Sequence, residues 1–467
     1  MRIDRSSIRA FRSSLKREVQ RSLADHFGRD LGSLTMQQII NAGSSLRAYP
    51  NLAQLQFDIP PHQINLVPKG QDLREATTVK LVGEDFTEHS AGGDATRLGM
   101  GAKFVIEPLQ LAGQARLAGI NFTVDPNTLL PLSLGKRHMA QFAYDLTRLA
   151  AQYEYNPHDV LHSQFMLITL NPKTADAIIQ DFVRYNFFGF NPERVLFFVD
   201  QVYSGMMPVN GEIVFSQNSP IGLYNHGHMV LQETVEGEVF QVVFNSSSGE
   251  IRKVPIGTEK FEEILASQRN KISYPVEDND YLTGQSIDLD SLGLALQLGA
   301  QGARMIMEVV GQKPLIRKPN NSRELISTPQ KGGFLAFDPT RGRLVMIESD
   351  SGDTVVNEKD PESLAKIKHL NRNFNLFPRP VEVFRALMNQ GLPFLHPVVR
   401  DGFLYIQPPQ GDQNFLVPTA FVRQEGEPKP INNLKSIADA ERTLRAMQTQ
   451  DQQYGFTEFM RELGLVK

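Results

Sequence analysis

Apolar positions follow two different periods along this chain, and the switches between them mark out its elements. Leu15, Val19 and Leu23 recur every four residues, and Met36, Ile39 and Ile40 begin a second short apolar face. Both patterns predict helices. Pro60-Pro61 then breaks the chain. Thr78-Val79-Lys80-Leu81-Val82 predicts a strand, and Gln164 to Leu170 a stronger one. Thr174 to Tyr185 carries Ala177, Ile178, Phe182 and Val183 at helical spacing, and Arg194 to Val199 predicts a third strand. Strand, helix and strand within about 35 residues make a βαβ unit. Apolar runs without alternation suit parallel strands buried on both faces. Met305 to Val310, Gly333 to Phe337 and Arg343 to Glu348 predict further strands, the last two joined by a hairpin turn at Pro339-Thr340-Arg341-Gly342. Past residue 375 the pattern changes: Phe403 to Ile406 predicts a strand and Ile437 to Met447 a helix, with Gly426 to Pro430 as a linker. The expectation is an α/β protein with a mixed sheet. A helical appendage occupies 1–76, a large domain 77–379 and a small C-terminal domain 380–467.

Composition narrows the function classes. A chain of 467 residues is long for one ordinary core. Its 41% hydrophobic and 21% charged residues supply ample core material. The net charge of −4 gives no electrostatic case for a nucleic-acid partner or an acidic membrane. Arg2 to Arg21 is locally basic but alternates like an amphipathic helix and lacks the apolar centre of a secretory signal. Asp4 and Glu18 interrupt any mitochondrial-type presequence. No apolar stretch approaches the roughly 20 residues that span a bilayer. The absence of cysteine excludes disulfides, thiolate catalysis and thiolate metal sites, and fits a reducing compartment. A cytoplasmic protein is expected; the sequence carries no signal for an oligomeric state.

The candidate chemistry begins at Gly92-Gly93-Asp94-Ala95-Thr96-Arg97-Leu98-Gly99. Paired glycines let backbone amides approach phosphate oxygens. Arg97 offers a fixed guanidinium fork. Gly99 and Gly101 allow a tight return, and Lys103 adds a compact point charge. Taken alone, the segment suits a surface turn as well as a phosphate loop. It has neither the Walker spacing nor the Gly-x-Gly-x-x-Gly of a dinucleotide fold.

The segment resembles the Gly-Gly-x-x-Thr-Arg-Leu-Gly loop of the eukaryotic-type UDP-sugar pyrophosphorylases, which include the UDP-N-acetylglucosamine and UDP-glucose enzymes. Further likenesses follow in order over about residues 77 to 450. Lys103 stands where the family has the lysine of a Pro-Lys-Gly element, here between Ala102 and Phe104. Phe197 to Gln201 and Gly205-Met206-Met207-Pro208 resemble a strand ending in a glutamine followed by Gly-Met-x-Pro. Gln201 thereby inherits the reading of the uracil edge, for which an amide offers both donor and acceptor. Asn225-His226-Gly227-His228 resembles the family's Gly-His-Gly-Asp nucleotide-contacting segment. A paired-histidine metal site and a structural role stand as the other readings of His226 and His228. Val276-Glu277-Asp278-Asn279 resembles a Val-Asp-Asn element and makes Asp278 the candidate ligand of a magnesium ion, which prefers oxygen donors. The other reading is a polar turn.

Gln330-Lys331-Gly332-Gly333 with the hairpin ending at Glu348 resembles a family element that makes Glu348 a candidate for the sugar hydroxyls. Asn371 and Asn373 match the family's Asn-Thr-Asn-Asn-Leu-Trp segment, with turn chemistry as the other reading. Ala420 to Arg423 resembles Phe-x-Pro-Val-Lys, with Arg423 in the lysine's place near the phosphates.

The resemblance implies a Rossmann-like nucleotidyltransferase fold of the GT-A-like type, using magnesium, that joins a sugar 1-phosphate to UTP. Arg97 and Lys103 carry the catalytic charge. Gly92, Gly93, Thr96, Gln201, Asn225, His226 and Gly227 bind the nucleotide. A non-catalytic nucleotide-sugar sensor on the same fold, or a transferase using another triphosphate, are the alternatives. One departure stands out: the family leads into its glycines with a hydrophobic strand, whereas Glu84 to Ser90 is polar. That implies an extended loop or an altered site.

Overall fold

The uninterrupted apolar runs become strands buried on both faces. In the computed structural model Met166–Leu170 is buried at every position, and Val195–Val199 at all but its last. The structure describes residues 52–68, 70–92, 98–200, 202–210, 212–223, 226–234, 237–284, 286–319, 321–348, 356–391, 393–394, 396–425 and 432–466, with parts of 16–39.

The strands, in chain order, begin with β1 (Asn65–Val67), β2 (Asp85–Ser90), β3 (Met166–Leu170) and β4 (Val195–Val199). Four short ones follow, β5 (Val202–Ser204), β6 (Met206–Val209), β7 (Glu212–Phe215) and β8 (Ile221–Leu223). Next are β9 (Phe240–Asn245), β10 (Glu250–Pro255), β11 (Asn270–Pro275) and β12 (Met305–Gly311). Two hairpins supply β13 (Ile316–Lys318) with β14 (Asn321–Ser327), and β15 (Phe334–Asp338) with β16 (Arg343–Ile347). The last are β17 (His369–Leu376), β18 (Pro397–Arg400), β19 (Phe403–Ile406) and β20 (Thr419–Gln424).

The main sheet runs β1-β20-β12-β17-β11-β2-β3-β4-β9-β10. Its neighbours are parallel except where β17 lies antiparallel between β12 and β11, and where β9 and β10 close the far edge. It is therefore the mixed sheet of an α/β fold, with the predicted hairpin β15–β16 joined to β17. The helix Leu134–Gln152 supports one face, packing Met139, Phe142 and Leu146 under Met166, Ile168 and Leu170. On the other face Phe86, Leu167, Leu196 and Phe198 meet Phe261, Leu265 and Phe384.

The main sheet draws strands from all three stretches expected as units, since β1 precedes residue 77 and β20 follows residue 379. Arg137, fully buried, binds Asp451 at 2.6 Å and Gln450 at 3.0 Å and so fastens the C-terminal helix Ala440–Asp451 to Leu134–Gln152. Among the N-terminal residues, Val19, Leu23 and Ile39 pack against Met206, Ile213 and Leu404 of a small sheet ordered β18-β19-β6-β7. The linker expected at 426–430 lies outside the described residues.

Two local expectations are corrected. Thr78 to Val82 is not a strand: Arg74–Leu81 is a helix. Its β-branched residues suit a strand, but Ala76 and Val79 lie three apart on one face and pack on Leu292 and Leu296 of the helix Leu289–Ala300, and that packing decides. The polar run before the glycines is β2, a central strand paired in parallel with both β11 and β3. It is not an extended loop, for all but Ser90 of it is buried.

A buried polar strand survives only if each polar group finds a partner. Asp85 takes Lys80 Nζ at 2.7 Å and Asn270 Nδ2 at 2.7 Å. Glu88 meets Lys271 at 2.5 Å. His89 shares its Nδ1 with His138 Nε2 at 2.8 Å and its Nε2 with Thr87 Oγ1 at 3.1 Å. His138 in turn stacks on Tyr281, with ring centroids 3.7 Å apart.

Burial, aided by the Lys80 charge, pushes His89 down to about 3, and burial with His89 beside it holds His138 well below its ordinary value. Both are therefore neutral in the folded protein at neutral pH, while the unfolded chain takes up protons below pH about 6.5. The His89 contribution is present above that pH and is lost as pH falls from about 6.5 toward about 3, by up to about 1.4 kcal/mol per pH unit, and the His138 contribution is lost in the same direction. The melting temperature is expected to fall between pH 7 and 5, and less steeply in the His89→Gln/His138→Gln variant. Equal slopes in calorimetry contradict the neutral pair.

Candidate functional site

The parallel strands β2, β3, β4 and β11 finish at one edge of the sheet, at Ser90, Leu170, Val199 and Pro275. Backbone bonds carry this edge beyond the strands: Ala91 N donates to Thr169 O at 2.9 Å, Asp200 N to Leu170 O at 2.9 Å and Val276 N to Ser90 O at 3.3 Å. The carboxyl edge of an open α/β sheet is where ligands settle.

Gly92 leaves β2 at this edge. A Cβ on it would stand 3.3 Å from the Leu170 carbonyl carbon and 3.4 Å from Asn171 N, so a side chain would crowd the end of β3. Asn171 Nδ2 donates to Gly92 O at 3.2 Å and holds the loop's first residue. Gly93, Thr96 and Arg97 lie outside the described residues. The predicted tight return is present, with Gly99 and Gly101 at φ +64° and +77°. Lys103 then opens a single 3₁₀ turn, Lys103–Val105, and its ammonium lies 2.9 Å from the Glu277 carboxylate.

Glu277 and Asp278 follow β11. Asp278 is buried and caps the turn Asn279–Thr283, accepting from Asp280 N at 2.8 Å. Burial pushes its carboxyl up to about 7; Arg372 opposes the shift, and Asp280 and Glu277 add to it. The turn reading and the site reading are thus compatible, because the same carboxyl both caps and stays at the sheet edge. A C-terminal strap braces it: Asn279 N donates to Asn432 O at 2.8 Å, Leu434 N to Glu277 O at 3.0 Å, and Asn433 bridges Asp278. Arg372 closes the group, with Glu308 at 2.9 Å and Asp280 at 3.3 Å. Glu277, Asp280 and Glu308 meet the cations Lys103 and Arg372 around Asp278. Among the described residues no cluster of three or more metal-ligating side chains forms.

On β17, Asn371 is buried and its N donates to Gly333 O at 2.8 Å. Glu348 comes to the same spot, because a Cβ on Gly333 would stand 2.9 Å from Glu348 Oε1 and 3.3 Å from Asn371 Cβ. Two expected sugar-side residues are thereby neighbours. Asn373 lies two positions along the same strand, and only its backbone is described. Arg423 is half-buried near the carboxyl end of β20, and its charge reinforces the burial that lowers His369 at the start of β17.

Gln201 and Asn225 lie outside the described residues. His226 opens the helix His226–Thr234. His228 lies in the same helix, and the side chains of both histidines lie outside what the structure describes. Gly227 N donates to Pro408 O at 2.9 Å, and a Cβ there would stand 2.5 Å from that oxygen. The helix start is fixed on the backbone of residue 408. Its far end carries Glu233, which shares Lys271 with Glu88 at 3.7 and 2.5 Å. Burial first and the Glu88 charge second push the Glu233 carboxyl well above the usual carboxylate range, against the pull of Lys271.

Sequence reasoning missed Asn171, Arg372 and the strap at 432–434. Asn171 had a signal, since it directly follows the strongest predicted strand. Arg372 sat between two asparagines that drew the assignment, and the strap reads as an ordinary polar loop.

No family model matches the chain, and no curated protein matches it by sequence. Solved structures do. The uridine diphosphate N-acetylglucosamine pyrophosphorylase of Trypanosoma brucei, in complex with inhibitor, aligns with a TM-score of 0.52 at 12% identity, over 96% of this chain and 85% of that one. A mutant UDP-glucose pyrophosphorylase of Leishmania major aligns at 0.51 and 12% identity, over 86% and 73%. At such identity the likeness shows the fold: this chain has the α/β fold of those pyrophosphorylases. No helix among the described residues is long and apolar enough to cross a membrane.

The close approach at Gly227 carries a prediction. Gly227→Ala is expected to cost about 1–3 kcal/mol through overpacking against Pro408. An unchanged urea midpoint contradicts the fixed helix start.

Proposed function

We propose that this chain is a nucleotidyltransferase that joins a sugar 1-phosphate to UTP, releasing pyrophosphate. The observation that carries the reading is the meeting of the loop after β2 with the turn after β11 at the sheet's carboxyl edge, with Lys103 and Asp278 on its two sides. The pyrophosphorylase fold supports it.

In this reading Gly92, Gly93 and Thr96 present backbone amides to the triphosphate, and Arg97 and Lys103 steady the charge that develops on the leaving pyrophosphate. Gln201 faces the uracil, and Asn225, His226 and Gly227 line the nucleotide. Glu348, Asn371 and Asn373 take the sugar hydroxyls, and Arg423 the sugar phosphate. An oxygen of the sugar 1-phosphate attacks the α-phosphorus of UTP in line. The bond from that phosphorus to the bridging oxygen breaks, and the electron pair leaves with pyrophosphate. The chain's task is positioning and charge stabilisation, and no nucleophilic side chain is required.

A magnesium ion fits the residues present. Asp278 offers the hard carboxylate oxygen that magnesium takes, and one or two carboxylates with the substrate's phosphates suffice to hold it. Asp278 would hold it, and when bound it supplies charge neutralisation of the phosphate oxygens.

Incubation with UTP, magnesium and a panel of glucose, galactose and N-acetylglucosamine 1-phosphates is expected to release pyrophosphate with at least one. Silence across the panel contradicts the reading, and tight binding without turnover makes the protein a sensor. ATP, GTP and CTP run in parallel are expected to be poorer than UTP. Lys103→Ala is expected to lower turnover by about 100-fold or more with the melting temperature kept. Near-normal turnover removes Lys103 from the machinery.

A further inference from the structure

We infer that Glu277 is a positioning residue: it holds the Lys103 ammonium beside the Asp278 turn, ready for a polyphosphate. The inference rests on the proposed function of the same site and adds to it the residue that pre-orders its lysine.

Both partners are anchored through their backbones, so the contact between their side chains has a fixed span. On one side Lys103 begins the 3₁₀ turn closed by Ile106 N donating to Lys103 O at 3.2 Å. Phe104, fully buried, seats that turn on the helix Leu134–Gln152 at Gly135, where a Cβ would stand 2.1 Å from the phenyl ring. On the other side Glu277 follows β11, and its carbonyl accepts Leu434 N at 3.0 Å. Val276 before it is tied to Ser90, and Asp278 after it caps its turn and is bridged by Asn433. A 2.9 Å ion pair joins the two side chains, with Lys103 and Glu277 16% and 17% exposed.

A lysine has four rotatable carbons and loses much freedom when it engages a ligand. Pairing with Glu277 removes that freedom beforehand, in a partly dried setting where the attraction exceeds that of a surface pair. The pairing does not block the role. An ammonium has three N–H donors, so one carboxylate still leaves donors for phosphate oxygens. Glu277 itself lies one residue from Asp278, so the same bond fixes the distance between the lysine and the proposed metal side.

A double-mutant cycle tests this on the full chain with Lys103→Ala, Glu277→Gln and the pair combined. Three readouts are taken: pyrophosphate release with UTP, magnesium and an accepted sugar 1-phosphate, calorimetric binding of magnesium–triphosphate, and the melting temperature. Glu277→Gln is expected to lower kcat by about 10-fold or more while leaving the KM for UTP within about 3-fold, as a loss of orientation does. The double variant is expected to be no slower than Lys103→Ala alone, because Glu277 acts through that lysine. A Glu277→Gln variant at the wild-type rate, or losses that multiply in the double variant, overturns the inference while leaving the transferase reading intact. Wild-type protein that binds magnesium–triphosphate but turns over no sugar 1-phosphate overturns the transferase reading, and the binding cycle then decides this one by the same non-additivity. Wild-type protein that binds no triphosphate overturns it as well. Glu277→Asp, which keeps the charge on a shorter stem, is expected to recover part of the rate; recovery to no degree, with a lowered melting temperature, marks a merely structural role.

Discussion

The central strand of this protein is built from groups that water would ordinarily keep. Asp85, Thr87, Glu88 and His89 are all buried between β11 and β3. Leaving any of them unpaired would cost several kcal/mol. Three of them recruit partners from other elements, Lys80 from the helix before it, Asn270 and Lys271 from β11, and His138 from the long helix beneath, while Thr87 pairs with His89 within the strand. These bonds fix the register of β2 against its neighbours, because a slip of one residue would exchange the two faces and orphan every partner. Breaking such a pair by removing one member is far more damaging than replacing both. The strand thus sets where its end lies, and with it where Gly92 emerges.

Everything at the carboxyl edge is referred to that end. Ser90 O receives Val276 N, which places Glu277 and Asp278 just beyond the end of β2, while Ala91 N is held by Thr169 at the end of β3. The group Glu88, Lys271 and Glu233 extends the same polar seam to the helix that begins at His226. On the far side, Arg372 links the Asp280 turn to Glu308 of β12, next to Asn371. The site is a consequence of charge pairing inside the sheet as much as of the loops that line it.

That constraint also explains what could be read from the sequence. The apolar strands β3, β4 and β12, the helix Ala175–Arg184 and the hairpin β15–β16 were legible, because their periodicity and turn residues act locally. Strand β2 was not, since its polar residues match a strand only once Lys80, His138 and Lys271 are in place, and those partners lie up to 183 positions away as paired through Lys271 and Glu88. The run at Thr78 misled for the opposite reason: local strand propensity lost to packing on Leu292 and Leu296. In the site, the structure pairs Lys103 with Glu277 beside Asp278, and sets Glu348 next to Asn371. Glu277 and Arg372 escaped notice because their meaning comes from contacts between β2, β11, β12 and β17 that no spacing encodes.

A crystal structure grown with magnesium and UTP tests the central claim most directly. The account predicts the triphosphate between Gly92 and Lys103, a cation at Asp278, and the uracil turned toward Gln201. A nucleotide bound away from the carboxyl edge of β2 and β11, or with its base in place of its phosphates, would contradict it.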